Sequence, residues 1–116
     1  MSNPRWAKRT LRKSFQQRFR AMDAECGICH GALGPIHYDE PMDAAHPLSL
    51  VIDEIRPISK WKQFGYPSPQ AAAEDWHNVQ PAHRCCNQAK GAKVNYDPVQ
   101  TVSVAKRQLN RSDGDW

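Results

Sequence analysis

At 116 residues the chain is of a length for one domain. Only 40% of its residues are hydrophobic and its mean hydropathy is −0.76, so the core is expected to be thin and to need an internal staple. The formal net charge of +4 suggests a polyanionic partner; no run approaches the roughly 20 apolar residues of a membrane span and the N-terminus lacks the apolar core of a signal peptide, so a cytoplasmic protein is expected.

The charge is unevenly placed. Residues 1–22 hold Arg5, Lys8, Arg9, Arg12, Lys13, Arg18 and Arg20 and no acid, leaving 9 of the 16 bases against all 12 acids in the remainder. Within that segment Ala7, Leu11, Phe15, Phe19 and Met22 recur at helical spacing, which predicts an amphipathic helix with a basic outer face. Such an arm can dock as a solvated charged helix, contact phosphates through Arg5, Lys8, Arg9, Arg12 and Lys13, or do both.

Cys26-Gly27-Ile28-Cys29-His30-Gly31 follows, a tight Cys-x-x-Cys turn with two glycines. Residues 32–47 contain three prolines among polar residues and predict a loop. Leu48–Ile52 is an apolar, partly β-branched run that predicts a strand delivering Asp53 and Glu54 to its end, with Ile55 and Ile58 in a return strand that Pro57 weakens. From Lys60 to His77, Gly65, Pro67, Pro69 and an alanine run predict a long loop with one helical turn, in which Trp61 and Trp76 pack. Pro81 at a first helical position and Gly91 as a stop predict a helix carrying His83 to Lys90. Val99 to Leu109 can form a short helix or strand that packs back. The expected organisation is a basic arm over 1–22, a zinc-stapled domain over 23–95 and a C-terminal extension over 96–116.

In a reducing compartment the four cysteines are better read as metal ligands or thiols than as disulfides. Cys26-x-x-Cys29 with His83-x-x-Cys86 supplies two close ligand pairs, enough for a closed tetrahedral zinc site. Cys85, about 100° around a helix from Cys86, is the poorer candidate. A four-ligand site has no open position for water, so this metal is expected to staple the fold and leave chemistry to other residues.

Asp53-Glu54-Ile55-Arg56-Pro57, then His77-Asn78-Val79-Gln80-Pro81-Ala82-His83-Arg84-Cys85-Cys86-Asn87-Gln88-Ala89-Lys90-Gly91, resembles the HNH endonuclease family, especially its bacteriophage and prophage branch. The likeness covers residues 26–91. It implies a small α+β, treble-clef-like ββα-metal core in which Asp53 and Asn87 hold a catalytic divalent ion, Mg²⁺ or Mn²⁺ with Ni²⁺ as a further candidate. Asn78 takes the second motif position, where an asparagine before a helix can hold the catalytic loop in register. Arg56, Arg84, Lys90 and Lys93 are candidate contacts to flanking phosphates.

Glu54 stands where the family usually places the histidine that activates water. Three roles remain open for it: general base, with a pKa raised by Asp53 and burial; a metal ligand alongside Asp53; or a bystander to a base supplied by His46 or His37, or to a weak site. The resemblance implies a DNA endonuclease of low sequence specificity, cutting or nicking, that assists phage DNA packaging beside a terminase-type partner. The alternative is a catalytically weak or inactive zinc-stabilised nucleic-acid binding module.

Overall fold

The computed structural model describes residues 9–38, 45–91, 93 and 95–115, with the side chains of residues 9–10 and 110–115 excluded. The chain runs from helix α1 (Arg9–Met22) to strand β1 (Leu50–Glu54), a 3-10 turn at Ile58–Lys60, helix α2 (Pro69–Glu74), a second 3-10 turn at Trp76–Asn78, strand β2 (Val79–His83), helix α3 (Arg84–Lys90) and helix α4 (Pro98–Asp115). The architecture is a small α+β fold with one two-stranded antiparallel sheet, β1 on β2. Among the described residues no helix is long and apolar enough to cross a membrane.

The N-terminal segment forms the expected helix and docks through Leu11, Phe15 and Phe19, whereas Met22 is exposed and Ala7 lies outside the described residues. Phe15 and Phe19, one turn apart, are buried with Ile52 of β1 and Val79 of β2. Trp76 stacks beside them, 5.4 Å from the Phe15 ring and 4.8 Å from that of Phe19, with the Arg18 guanidinium 3.5 Å above its own ring. Burying each phenylalanine contributes about 2–3 kcal/mol. The helix ends at Asp23, whose φ of 49° lets Ala24 donate back to the Phe19 carbonyl at 3.1 Å.

The strand pairing corrects the sequence reading at two places. The return strand is not at Ile55 and Ile58 but 25 residues beyond Glu54 at its start, with Leu50 opposite His83 and Glu54 opposite Val79; Ile58 instead enters the 3-10 turn and is buried with Ala72 and Ala73. Helix α3 begins at Arg84 rather than Pro81, because Pro81 belongs to β2 opposite Ile52. The Pro81 carbonyl accepts from Gly27 at 2.8 Å and so points away from β1. Its missing N–H lies on that same outer side, where the ladder loses nothing.

The long segment between the strands is more ordered than a plain loop. Ser68 caps α2 by accepting from the Ala71 N–H at 3.1 Å, with Pro69 in the first turn, and Tyr66 donates to Asp75 at 2.8 Å. The C-terminal stretch forms a helix capped by Asp97, which accepts from Val99 and Gln100, and α4 packs on α3 through buried Thr101 and Ala105.

Candidate functional site

Cys26, Cys29, His83 and Cys86 are all buried, and their ligand atoms lie within 4.8 Å of one another. The knuckle is closed by His30 and Gly31 with φ values of 53° and 89°, a conformation for which Gly31 is suited. His83 is the last residue of β2 and the residue just before α3, with no side-chain bond to that helix's end, while Cys86 is the helix's third residue, so the strand-to-helix junction aims both inward. His83 Nδ1 is 3.4 Å from the Cys29 sulfur and 3.6 Å from that of Cys86. Tetrahedral bonds of about 2.3 Å to sulfur and about 2.0 Å to nitrogen would place S and N about 3.5 Å apart, so the cluster suits a structural zinc.

The surroundings prepare the ligands. His83 Nε2 lies 3.3 Å from the Pro35 carbonyl; donation there leaves the Nδ1 lone pair for metal. The N–H groups of Ile28, Cys29 and His83 approach the Cys26 sulfur at 3.4–3.5 Å. The Cys26 thiol is drawn down to about 3, first by the Cys86 thiol donating to it, against burial and with help from the His83 ring and the Cys29 and His83 amides. Cys86, which keeps that proton, is pushed up by the same contact. Cys85 is buried but falls outside the four-ligand cluster, as its helical position predicts.

Asp53 and Glu54 close β1, and successive residues of a strand face opposite sides. Glu54 turns to α1, where Arg12 Nη1 donates to its Oε1 at 3.0 Å and Arg12 Nη2 donates to the Ile52 carbonyl at 3.2 Å. Asp53 turns to α3: Lys90 Nζ lies 3.2 Å from Oδ1 and 3.1 Å from Oδ2, while Gln80, its cross-strand partner, donates to Oδ2 at 2.8 Å. Burial pushes the Asp53 carboxyl above its usual range, with Gln80 and Lys90 acting in the opposite sense. The alternation gives the two acids different cationic partners, so chelation of one ion by both side chains is not the arrangement present.

Asn78 is 2% exposed and bridges backbone segments. Its Oδ1 accepts from Arg56 N–H at 2.8 Å, its Nδ2 donates to the Arg56 carbonyl at 3.0 Å and to that of Ala72 at 3.2 Å, and its own carbonyl accepts from Ile55. It therefore fixes the turn that leaves β1 just after the acids. Asn87 is half-buried on α3, three residues before Lys90, the side chain by which that helix meets Asp53.

The candidate phosphate contacts separate. Lys90, expected as a surface base, is 2% exposed and tied to Asp53; Arg12, expected on the outer basic face, is committed to Glu54. Lys13, Arg56 and Lys93 are exposed and Arg84 is half-buried. Arg5 and Lys8 lie outside the described residues, as does the side chain of Arg9. His37 and His46 pack on each other at 4.5 Å, and His37 bridges to Ser49, before the start of β1. Five residues of strand, about 16 Å, separate the backbone of Ser49 from that of Glu54 at the other end of β1.

Gln80 is the member of this site that sequence reasoning missed. Its signal appears only once the register sets it opposite Asp53. Comparison with protein-family models, with curated proteins and with solved structures finds no match to this chain.

Proposed function

We propose that the chain is a metal-dependent DNA endonuclease of the HNH type, with a ββα-metal core, that hydrolyses phosphodiester bonds with low sequence specificity. The observation that carries this reading is the contact between Asp53 at the end of β1 and Lys90 of α3, three residues beyond Asn87, in a β–β–α order beside the Cys26, Cys29, His83 and Cys86 cluster. The residues at 53–57 and 77–91 carry the resemblance of residues 26–91 to that family.

The Asp53 carboxylate and the Asn87 amide oxygen are hard donors of the kind that suit Mg²⁺ or Mn²⁺, few enough to leave positions for substrate. When bound, such an ion would supply positive charge to the scissile phosphate and the leaving 3′ oxygen. Glu54 is the proton acceptor for the attacking water in this reading, which requires its carboxylate to leave Arg12 and swing around the end of β1 toward the Asp53 side, and Asn78 holds the turn beside it. Lys13, Arg56 and Lys93 contact flanking phosphates. As in the phage-type members that the sequence resembles, a packaging protein of the terminase type is the proposed partner.

A second reading has an observation of its own: both acids are already matched by cations, as expected of a scaffold retained for nucleic-acid binding without cleavage. Plasmid incubation with the zinc-loaded protein and Mg²⁺, Mn²⁺ or Ni²⁺ separates the two. The expected result is nicked or linear product that disappears in Asp53→Asn and Asn87→Ala, whose zinc content is unchanged, is lost in Glu54→Gln and returns in Glu54→His. Cleavage that persists in both the Asp53 and Asn87 variants overturns the assignment, and salt-sensitive binding without product selects the second reading.

A further inference from the structure

Lys90 is the most deeply buried cation among the described residues, and its surroundings resemble those of a hard metal ion. Its ammonium is held by three oxygens: Asp53 Oδ1 at 3.2 Å, Asp53 Oδ2 at 3.1 Å and the Glu54 carbonyl at 3.4 Å. The Tyr96 ring lies 5.7 Å away, within reach of a cation–π contact. A carboxylate gripped at both oxygens, with a backbone carbonyl beside it, is a donor set that a divalent ion would also use.

We propose that Lys90 is the resident cation of the Asp53 site and that a divalent ion binds there only by displacing its ammonium. The inference rests on the endonuclease reading above. Two positive charges cannot share one buried carboxylate without strong repulsion, because screening there is weak. Charge accounting gives the device its purpose. Asp53 is matched by Lys90 and Glu54 pairs with Arg12, so a divalent ion that displaces the ammonium leaves one excess positive charge at Asp53 and a released Lys90 without its carboxylate. Phosphates of a bound duplex supply compensating charges, and the released Lys90 gains a new partner. Metal and DNA therefore bind with positive coupling, and the protein resists metal until substrate arrives.

Mn²⁺ binding, followed by the electron paramagnetic resonance signal of the free ion, tests this with the full-length, zinc-loaded chain. Lys90→Gln, which keeps a hydrogen-bond donor, and Lys90→Met are compared with the wild type, zinc content and circular dichroism confirming that each is folded. Removing the ammonium is expected to tighten Mn²⁺ binding by about ten-fold or more. A short phosphorothioate duplex, with its own Mn²⁺ uptake subtracted, is expected to tighten wild-type binding and to do much less for Lys90→Gln. Equal Mn²⁺ affinity in wild type and both Lys90 variants, with binding lost in Asp53→Asn, overturns this inference and leaves the endonuclease reading standing. Mn²⁺ uptake that is indifferent to Asp53→Asn overturns both.

Discussion

Arg12 of the N-terminal helix and Glu54 at the end of β1 form an ion pair at 3.0 Å across 42 residues of sequence, with the arginine 18% and the glutamate 7% exposed. The basic helix thereby enters the acidic site from one side while Lys90 enters from the other. Phe15 and Phe19 hold the helix in place, so Arg12 is positioned by packing rather than by charge alone.

Replacing Arg12 by alanine leaves Glu54 largely buried without this partner and is expected to cost about 1–3 kcal/mol. Arg12→Lys should recover part of that loss, since it keeps the charge but gives up the guanidinium fork that also reaches the Ile52 carbonyl. Urea unfolding of the three proteins measures the difference. Equal midpoints would show that the pair is energetically silent.

Zinc removal should unfold the region around the knuckle. Cys26, Cys29 and Cys86 sit in one core cluster with Ile28, Ile36, Leu50 and Ala105, so thiolates freed of metal would be left to desolvate in that cluster. A strong chelator, or Cys29→Ser, is expected to abolish cooperative thermal unfolding, and restoring zinc should rescue the chelated wild type. A chelated protein that still melts sharply at the original temperature would refute the staple.

Asn78→Ala removes three hydrogen bonds from a buried position and strands the Arg56 N–H and the carbonyls of Arg56 and Ala72. A loss of about 2–4 kcal/mol is expected from the unsatisfied backbone groups. Asn78→Asp should also be damaging, because the two donations from Nδ2 become repulsive carboxylate-to-carbonyl contacts. Hydrogen exchange of the Arg56 amide provides a local readout: protection should fall in both variants.

A residue in the knuckle also touches the acidic site. A methyl group on Gly27 would fall on the Gln80 side chain, whose carboxamide donates to Asp53. Gly27→Ala is therefore expected to turn Gln80 away from Asp53 and lower stability by about 1 kcal/mol while zinc content is preserved. A crystal structure of the variant with the Gln80 contact intact would contradict this.

Tyr38 should shape the alkaline limit. Burial, with the negative charges of Asp23 and Cys26, pushes its phenol up to about 12, and its hydroxyl donates to the Ala24 carbonyl at 2.9 Å. A proton held more tightly in the fold than in the unfolded chain, where a tyrosine titrates near 10, contributes stability that is complete below about pH 10 and disappears as pH rises to about 12. Tyr38→Phe should flatten that part of the stability curve, as followed by unfolding at increasing pH.

The local features were legible because they depend on neighbours in sequence. Four-residue spacing placed Phe15 and Phe19 on one helix face, and the two ligand pairs announced the four-residue cluster that suits a structural zinc. Pro81 misled because its preference for a helix start is local, whereas the side of the sheet on which its nitrogen falls is not.

Only the tertiary structure decided what faces the acids. Gln80, Lys90 and Arg12 lie 27, 37 and 42 residues from their partners. Strand register and helix docking choose these contacts, and neither follows from composition or spacing. Once β1 is fixed, the alternation of its side chains sends Asp53 to α3 and Glu54 to α1, because adjacent residues of an extended chain point to opposite faces.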